Sequence, residues 1–154
     1  MSLALTIAGT GHRPDKLGGY SDVILDRLTA LAYAYLVRVD ATHVISGMAL
    51  GWDTAVCVAA LRLGLPVTAA IPFKGQELKW PYKSQQLYHS LLTQCSSSIV
   101  LSSYQRRNEW MVQQCDRLVA LWDGSSGGTA NCIRYANAIN RPYDNVWKSW
   151  EKFK

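Results

Sequence analysis

Residues 117–136 read RLVALWDGSSGGTANCIRYA, and this stretch decides the fold. Arg117 to Leu121 is a short apolar run of strand length, and Gly128 to Asn140 has helical spacing. Between them lies a polar loop in which Gly127 and Gly128 let the backbone approach a ligand closely and Thr129 offers a hydroxyl. A helix that starts this way presents unpaired N–H groups and a partial positive charge, an arrangement suited to phosphate. Strand, glycine loop, helix is the repeating unit of an α/β protein.

The same unit recurs upstream. Leu3–Ala8, His43–Ser46, Val67–Ile71 and Ser98–Leu101 are further short apolar runs, and Pro142–Val146 is a last one. Ser21 is an N-cap, and Ile24, Leu28, Leu31 and Tyr35 follow at helical spacing to about Asp40. An alanine-rich helix follows Gly51 and Asp53 and stops at Gly64 with Pro66 beyond. A third covers about Lys83–Cys95 and buries Leu87, Leu91 and Tyr88; a shorter one runs through QRRNEWMVQQC. Regular alternation predicts an α/β, Rossmann-like three-layer sandwich with a mostly parallel sheet of five to six strands, and a single domain over residues 1–154. The closing KSWEKFK reads as frayed or as a peripheral cap.

Bulk composition narrows the function classes. With 154 residues and 49% hydrophobic content, one buried core is ample. The net charge of +5 comes without a basic run, which suits anionic ligands generally and does not single out nucleic acid. Cys57, Cys95, Cys115 and Cys132 lie far apart with no CxxC pair, so they read as buried thiols of a reducing cytoplasm, and no metal site is expected. The N-terminus lacks a basic leader, and no apolar run reaches the ~20 residues of a membrane helix, so a cytoplasmic protein with no membrane partner is expected.

In a parallel sheet, ligands lie beyond the carboxyl ends of the strands. Five loops fall there. GTGHRP follows the first strand, with Gly9, Thr10 and Gly11 as floor and Arg13 as anion contact; Pro14 replaces the third glycine of a dinucleotide fingerprint. SGMALGWD sets Gly47 and Gly51 around a helix entrance, with Asp53 in the first turn, where a carboxylate either favours the helix dipole or holds sugar hydroxyls. PFKGQELKWP carries Trp80, which either stacks on a base or closes the core edge. SSYQRRN carries Arg106 and Arg107, of which Arg107 is expected to balance ligand charge together with Arg13, and WDGSSGGT supplies the phosphate loop. His12 is read first as a structural hydrogen-bonding group. No cofactor is expected.

Taken together, TGHRP, SGMALGWD, PFKGQELKWP, YQRRNEWMV and WDGSSGGTANCIRYA resemble the YpsA-like branch of the SLOG superfamily, over about residues 5–146. That superfamily also contains the Lonely Guy phosphoribohydrolases and DprA. The resemblance implies a Rossmann-like fold that binds nucleotides or nucleotide-derived molecules. Gly47, Gly51 and Asp53 match its second-strand motif, and Gly127, Gly128 and Thr129 its phosphate loop. Phosphoribohydrolases carry a glutamate soon after that threonine; here the region reads GGTANCIR, with Asn131 and Arg134 and no acid. An amide cannot act as a general base.

The leading expectation is therefore a binder of a phosphorylated nucleotide-like small molecule, serving as sensor, sequestering protein or regulatory module. Asp53, Glu109 and Asp123 are the catalytic candidates of the alternative, N-glycosidic hydrolysis or transfer. Nucleic-acid binding is the second alternative. Tyr33, Tyr35, Trp147 and Trp150 leave aromatic surface for a homo-oligomer to cover.

Overall fold

The computed structural model of the protein describes residues 3–152. Six strands, β1 (Thr6–Gly11), β2 (His43–Ser46), β3 (Val67–Ile71), β4 (Ser97–Val100), β5 (Arg117–Leu121) and β6 (Tyr143–Asn145), form one sheet in the order β4-β3-β2-β1-β5-β6. Every neighbouring pair is parallel. The helices between them are α1 (Asp22–Arg38), α2 (Trp52–Arg62), α3 (Tyr82–Gln94), α4 (Tyr104–Gln114) and α5 (Gly128–Ala138), and α6 (Trp147–Glu151) closes the chain. The α/β, Rossmann-like class is thus as expected. Among the described residues no helix is long and apolar enough to cross a membrane.

Alternation along the strands feeds two cores. Ile7, Val44, Val67, Val119 and Leu121 face α1, α2, α3 and α6 on one side. Ala8, Ile45, Ala70, Leu118 and Ala120 face α4 and α5 on the other. Both faces of the sheet are covered, which is why its central strands read as continuous apolar runs. Cys57, Cys115 and Cys132 are buried, whereas Cys95 is half-buried.

Two expectations need correction. The first strand starts later and runs further than Leu3–Ala8: Leu3 is 88% exposed, while Thr10 and Gly11 pair with Ala120 and Leu121 of β5. Glycines are tolerated in this central strand because α2 packs tightly on it; a Cβ on Gly11 would lie 2.5 Å from Cδ1 of Trp52. Tyr35 and Trp150, read as aromatic surface, are instead buried, 1% and 2% exposed; of the two readings of the closing segment, α6 makes it a cap and not a frayed end through 147–151. Phe153 and Lys154 lie outside the described residues.

From β1 the chain winds outward through β2 and β3 to the edge at β4, then returns to lay β5 on the other side of β1. Connections diverge at the carboxyl ends of β1 and β5, and this opens a crevice between their following loops.

Candidate functional site

The crevice at that divergence has a volume of about 470 Å³. Its floor is Gly9, Thr10 and Gly11 of β1, and its walls are Asp53 of α2, the buried face of α4 and residues 126–130 entering α5. Arg13, Asp15 and Lys16 stand at the mouth.

Among the acidic and basic side chains that line the crevice, Asp53 and Arg107 are buried, 7% and 6% exposed. Arg107 donates from Nη1 to the Gly47 carbonyl at 2.7 Å and from Nε to Asn108 Oδ1 at 2.9 Å. A Cβ on Gly47 would fall 2.5 Å from that Nη1 and 2.8 Å from Asp53 Oδ2, so only glycine leaves room for both side chains. Burial pushes the Asp53 carboxyl up to about 6; Arg107, the Ala49 N–H and Arg13 pull it back. A carboxyl in this range exchanges its proton near neutral pH.

Gly127 begins the opposite wall with φ 137° and ψ −163°, a conformation essentially confined to glycine. No side chain caps α5 and no acid sits in its first turn. A Cβ on Gly127 or Gly128 would meet nothing within 4 Å, so space remains in front of the helix start. The N–H groups there carry the helix's partial positive charge into the crevice.

The glycine loop is tied to the first loop from across the sheet. Asp123 Oδ1 accepts from the Ser125 N–H at 2.9 Å and from the Ser125 hydroxyl, and it lies 2.8 Å from His12 Nε2. The Asp123 backbone nitrogen lies 3.0 Å from the same Nε2, so the ring donates to the carboxylate when Nε2 is protonated and accepts from the N–H when it is not. Lys16 adds a bond to the Ser125 hydroxyl at 2.8 Å. The Ser125 hydrogen bonds, followed by His12, hold the Asp123 carboxyl well below the usual carboxylate range.

The fold therefore gathers Gly9, Thr10, Gly11, Arg13, Asp53, Arg107, Gly127, Gly128 and Thr129 around one crevice. Gly47 and Gly51 stand behind it. Gly51, at φ 88°, brings α2 against the first loop so that the Trp52 N–H reaches the His12 carbonyl at 3.3 Å. Trp80 is elsewhere: it packs edge-on against Tyr88 at 5.3 Å and lines a separate apolar cavity beside α1 and α3. Its loop follows β3, two strands from β1, and folds toward the α3 side. Of the catalytic candidates only Asp53 lines the crevice. Asp123 latches the loop, and Glu109 lies in the groove between α4 and α5, accepting from Gln105 at 3.0 Å.

Sequence reasoning missed Asp15, Lys16, Tyr104, Asn108 and Met111, which also line the crevice. The signal for the last three was present: with Arg107 they recur at positions 104, 107, 108 and 111, one face of a helix. Tyr104 is flanked by the Arg13 and Arg107 guanidiniums, 5.9 and 5.7 Å from its ring centre.

No family model matches the chain. It is 31% identical to an uncharacterized SPbeta prophage-derived protein of Bacillus subtilis, YoqJ, in an alignment covering 72% of this chain and 78% of that protein. Among solved structures it is similar to DprA from Streptococcus pneumoniae (TM-score 0.66, 18% identity, 91% of this chain, 49% of that one). It is also similar to the molybdenum cofactor carrier protein from Chlamydomonas reinhardtii (TM-score 0.63, 15% identity, 92% and 75%). The chain thus spans about half of the pneumococcal DprA. Fold and topology define a Rossmann-like α/β protein with an all-parallel six-stranded sheet. Within that class the chain belongs to the family of the prophage protein YoqJ.

Proposed function

We propose that the crevice binds a phosphorylated nucleotide or nucleotide-derived small molecule, and that the protein acts as a sensor, sequestering protein or regulatory module. One observation carries this reading: the uncapped, acid-free start of α5 opens into the same crevice as a buried arginine and a buried aspartate. The N–H groups at Gly128 and Thr129 receive phosphate oxygens. Arg13 and Lys16 at the mouth balance the remaining charge, and Asp53 accepts from sugar hydroxyls. DprA from Helicobacter pylori has a single-stranded DNA binding mode, and the Chlamydomonas protein carries molybdenum cofactor, so neighbours of this fold serve as binders.

Titration calorimetry against mononucleotides, cyclic nucleotides and ADP-ribose derivatives tests the reading. Binding is expected, and Gly128→Asp, which sets a carboxylate where the phosphate lies, is expected to abolish it. Absence of binding across the panel, or affinity untouched by Gly128→Asp, overturns it.

A second reading has its own observation. Asp53, with its carboxyl pushed up to about 6 inside a cleft, is suited to proton transfer in cleaving an N-glycosidic bond. It requires release of free base from a nucleotide, lost in Asp53→Asn. Nucleic-acid binding, the third, requires affinity that falls steeply with salt.

A further inference from the structure

The crevice does not end at α5. Past Tyr104, Asn108 and Gly128 it continues into a second hollow of about 610 Å³ between α4 and α5, and those three residues line both. The start of α5 is therefore a saddle between two chambers, with Tyr104 and its two flanking guanidiniums on the opposite side.

The chambers differ in chemistry. Arg13, Lys16 and Arg107 outnumber Asp15 and Asp53 in the first. In the second, Glu109 faces one cation, Arg134, whose Nη1 is already bonded to Asn131 Oδ1 at 2.8 Å. The other polar groups there are amides, phenols and a carboxylate: Gln105, Asn108, Asn131, Tyr104, Tyr135 and Glu109. Such groups recognise sugar hydroxyls and base edges; a charge-balanced groove gives little to a further phosphate. A carboxylate suited to a ribose diol thus stands in each chamber, Asp53 in one and Glu109 in the other.

We infer that the ligand is two nucleosides joined through phosphate, the linkage lying on the saddle at Gly128 and one nucleoside in each chamber. This rests on the nucleotide-binding reading above. A mononucleotide fills one chamber and leaves the other to water; joining the second nucleoside adds its contacts without a second loss of translational freedom.

Calorimetry with ADP and with diadenosine pyrophosphate, which share the same two phosphates, tests the inference. Diadenosine pyrophosphate is expected to bind at least about tenfold more tightly. Glu109→Gln, on the α4–α5 groove, is expected to remove most of that advantage while leaving ADP affinity unchanged. Equal affinities, or an advantage that survives both Glu109→Gln and Arg134→Ala, overturn it. So does a longer single-stranded oligoadenylate that binds more tightly still with a steep salt dependence, which would make the groove a nucleic-acid track. If ADP binds and Gly128→Asp abolishes that binding, a wild-type protein that binds diadenosine pyrophosphate no more tightly than ADP rejects this inference alone. If neither compound binds, this inference falls, and the nucleotide-binding reading falls with it when the rest of the panel also fails to bind.

Discussion

Asp53→Asn tests the physical account of the site most directly, because it removes a charge and almost nothing else. The wild-type carboxyl moves from 3.8 to about 6 on folding, mainly through burial. Its folded-state value is raised, so it stabilises the fold relatively at low pH, and that contribution is lost as pH rises from 3.8 through about 6. Above about pH 7 the ionised form costs about 3 kcal/mol relative to the unfolded chain, and at about pH 5 roughly half of that. Asparagine cannot ionise, keeps the shape, and retains an oxygen for the Ala49 N–H, which lies 3.4 Å from Oδ2 in the wild type. The expected result at about pH 7.5 is therefore a gain of about 1–3 kcal/mol, or about 3–10 °C in Tm for a domain of this size. Urea melts of both proteins at several pH values read it, with the gap narrowing by about 1 kcal/mol or more between about pH 7.5 and about pH 5. A variant that is less stable at neutral pH, with a gap that ignores pH, would show that Arg107 fully compensates an ionised Asp53 and would refute the argument.

The two glycines of the phosphate loop should separate stability from binding. Gly127→Ala forces a side chain onto φ 137° and is expected to cost about 1–3 kcal/mol in chemical denaturation, with affinity falling only as the loop loosens. Gly128→Ala has an ordinary backbone and open space, so stability should hold within about 1 kcal/mol while nucleotide affinity drops; the reverse ranking would place the ligand elsewhere. Gly11→Ala sets a Cβ 2.5 Å from Trp52 and is expected to destabilise by about 1–3 kcal/mol, read as a lower Tm. An unchanged Tm would mean that α2 can shift off the sheet at that point.

Much of the architecture was legible along the chain. β2, β3 and β5 fall on the residues that their apolar runs mark, and Ser21 caps α1 through the Ile24 N–H at 3.3 Å. These are local matters: side-chain period, cap chemistry and turn residues are set within a few positions. That all strands are parallel also follows from the alternation, and it puts the five loops on one rim. The glycine loop read as the ligand's seat does open into the crevice.

What lay beyond local reach was decided by packing between distant segments. Arg106 and Arg107 are adjacent in sequence, and it is the rotation of α4 that leaves the first exposed and buries the second against the Gly47 carbonyl, 60 residues away. The same rotation brings Tyr104 to the crevice, while the fold of the β3 loop takes Trp80 to the α3 side. Asp123 reads as a free acid in sequence and becomes a latch because His12, 111 residues earlier, lies beside it once β5 returns next to β1. Residue pattern by itself determined the strands, the helices and the loop at Gly127 and Gly128, because those depend on backbone conformation over a few residues. Only the tertiary structure decided which charges are buried and which loops meet, because burial and contact belong to the strand order, β4-β3-β2-β1-β5-β6, and to the helix faces packed on it.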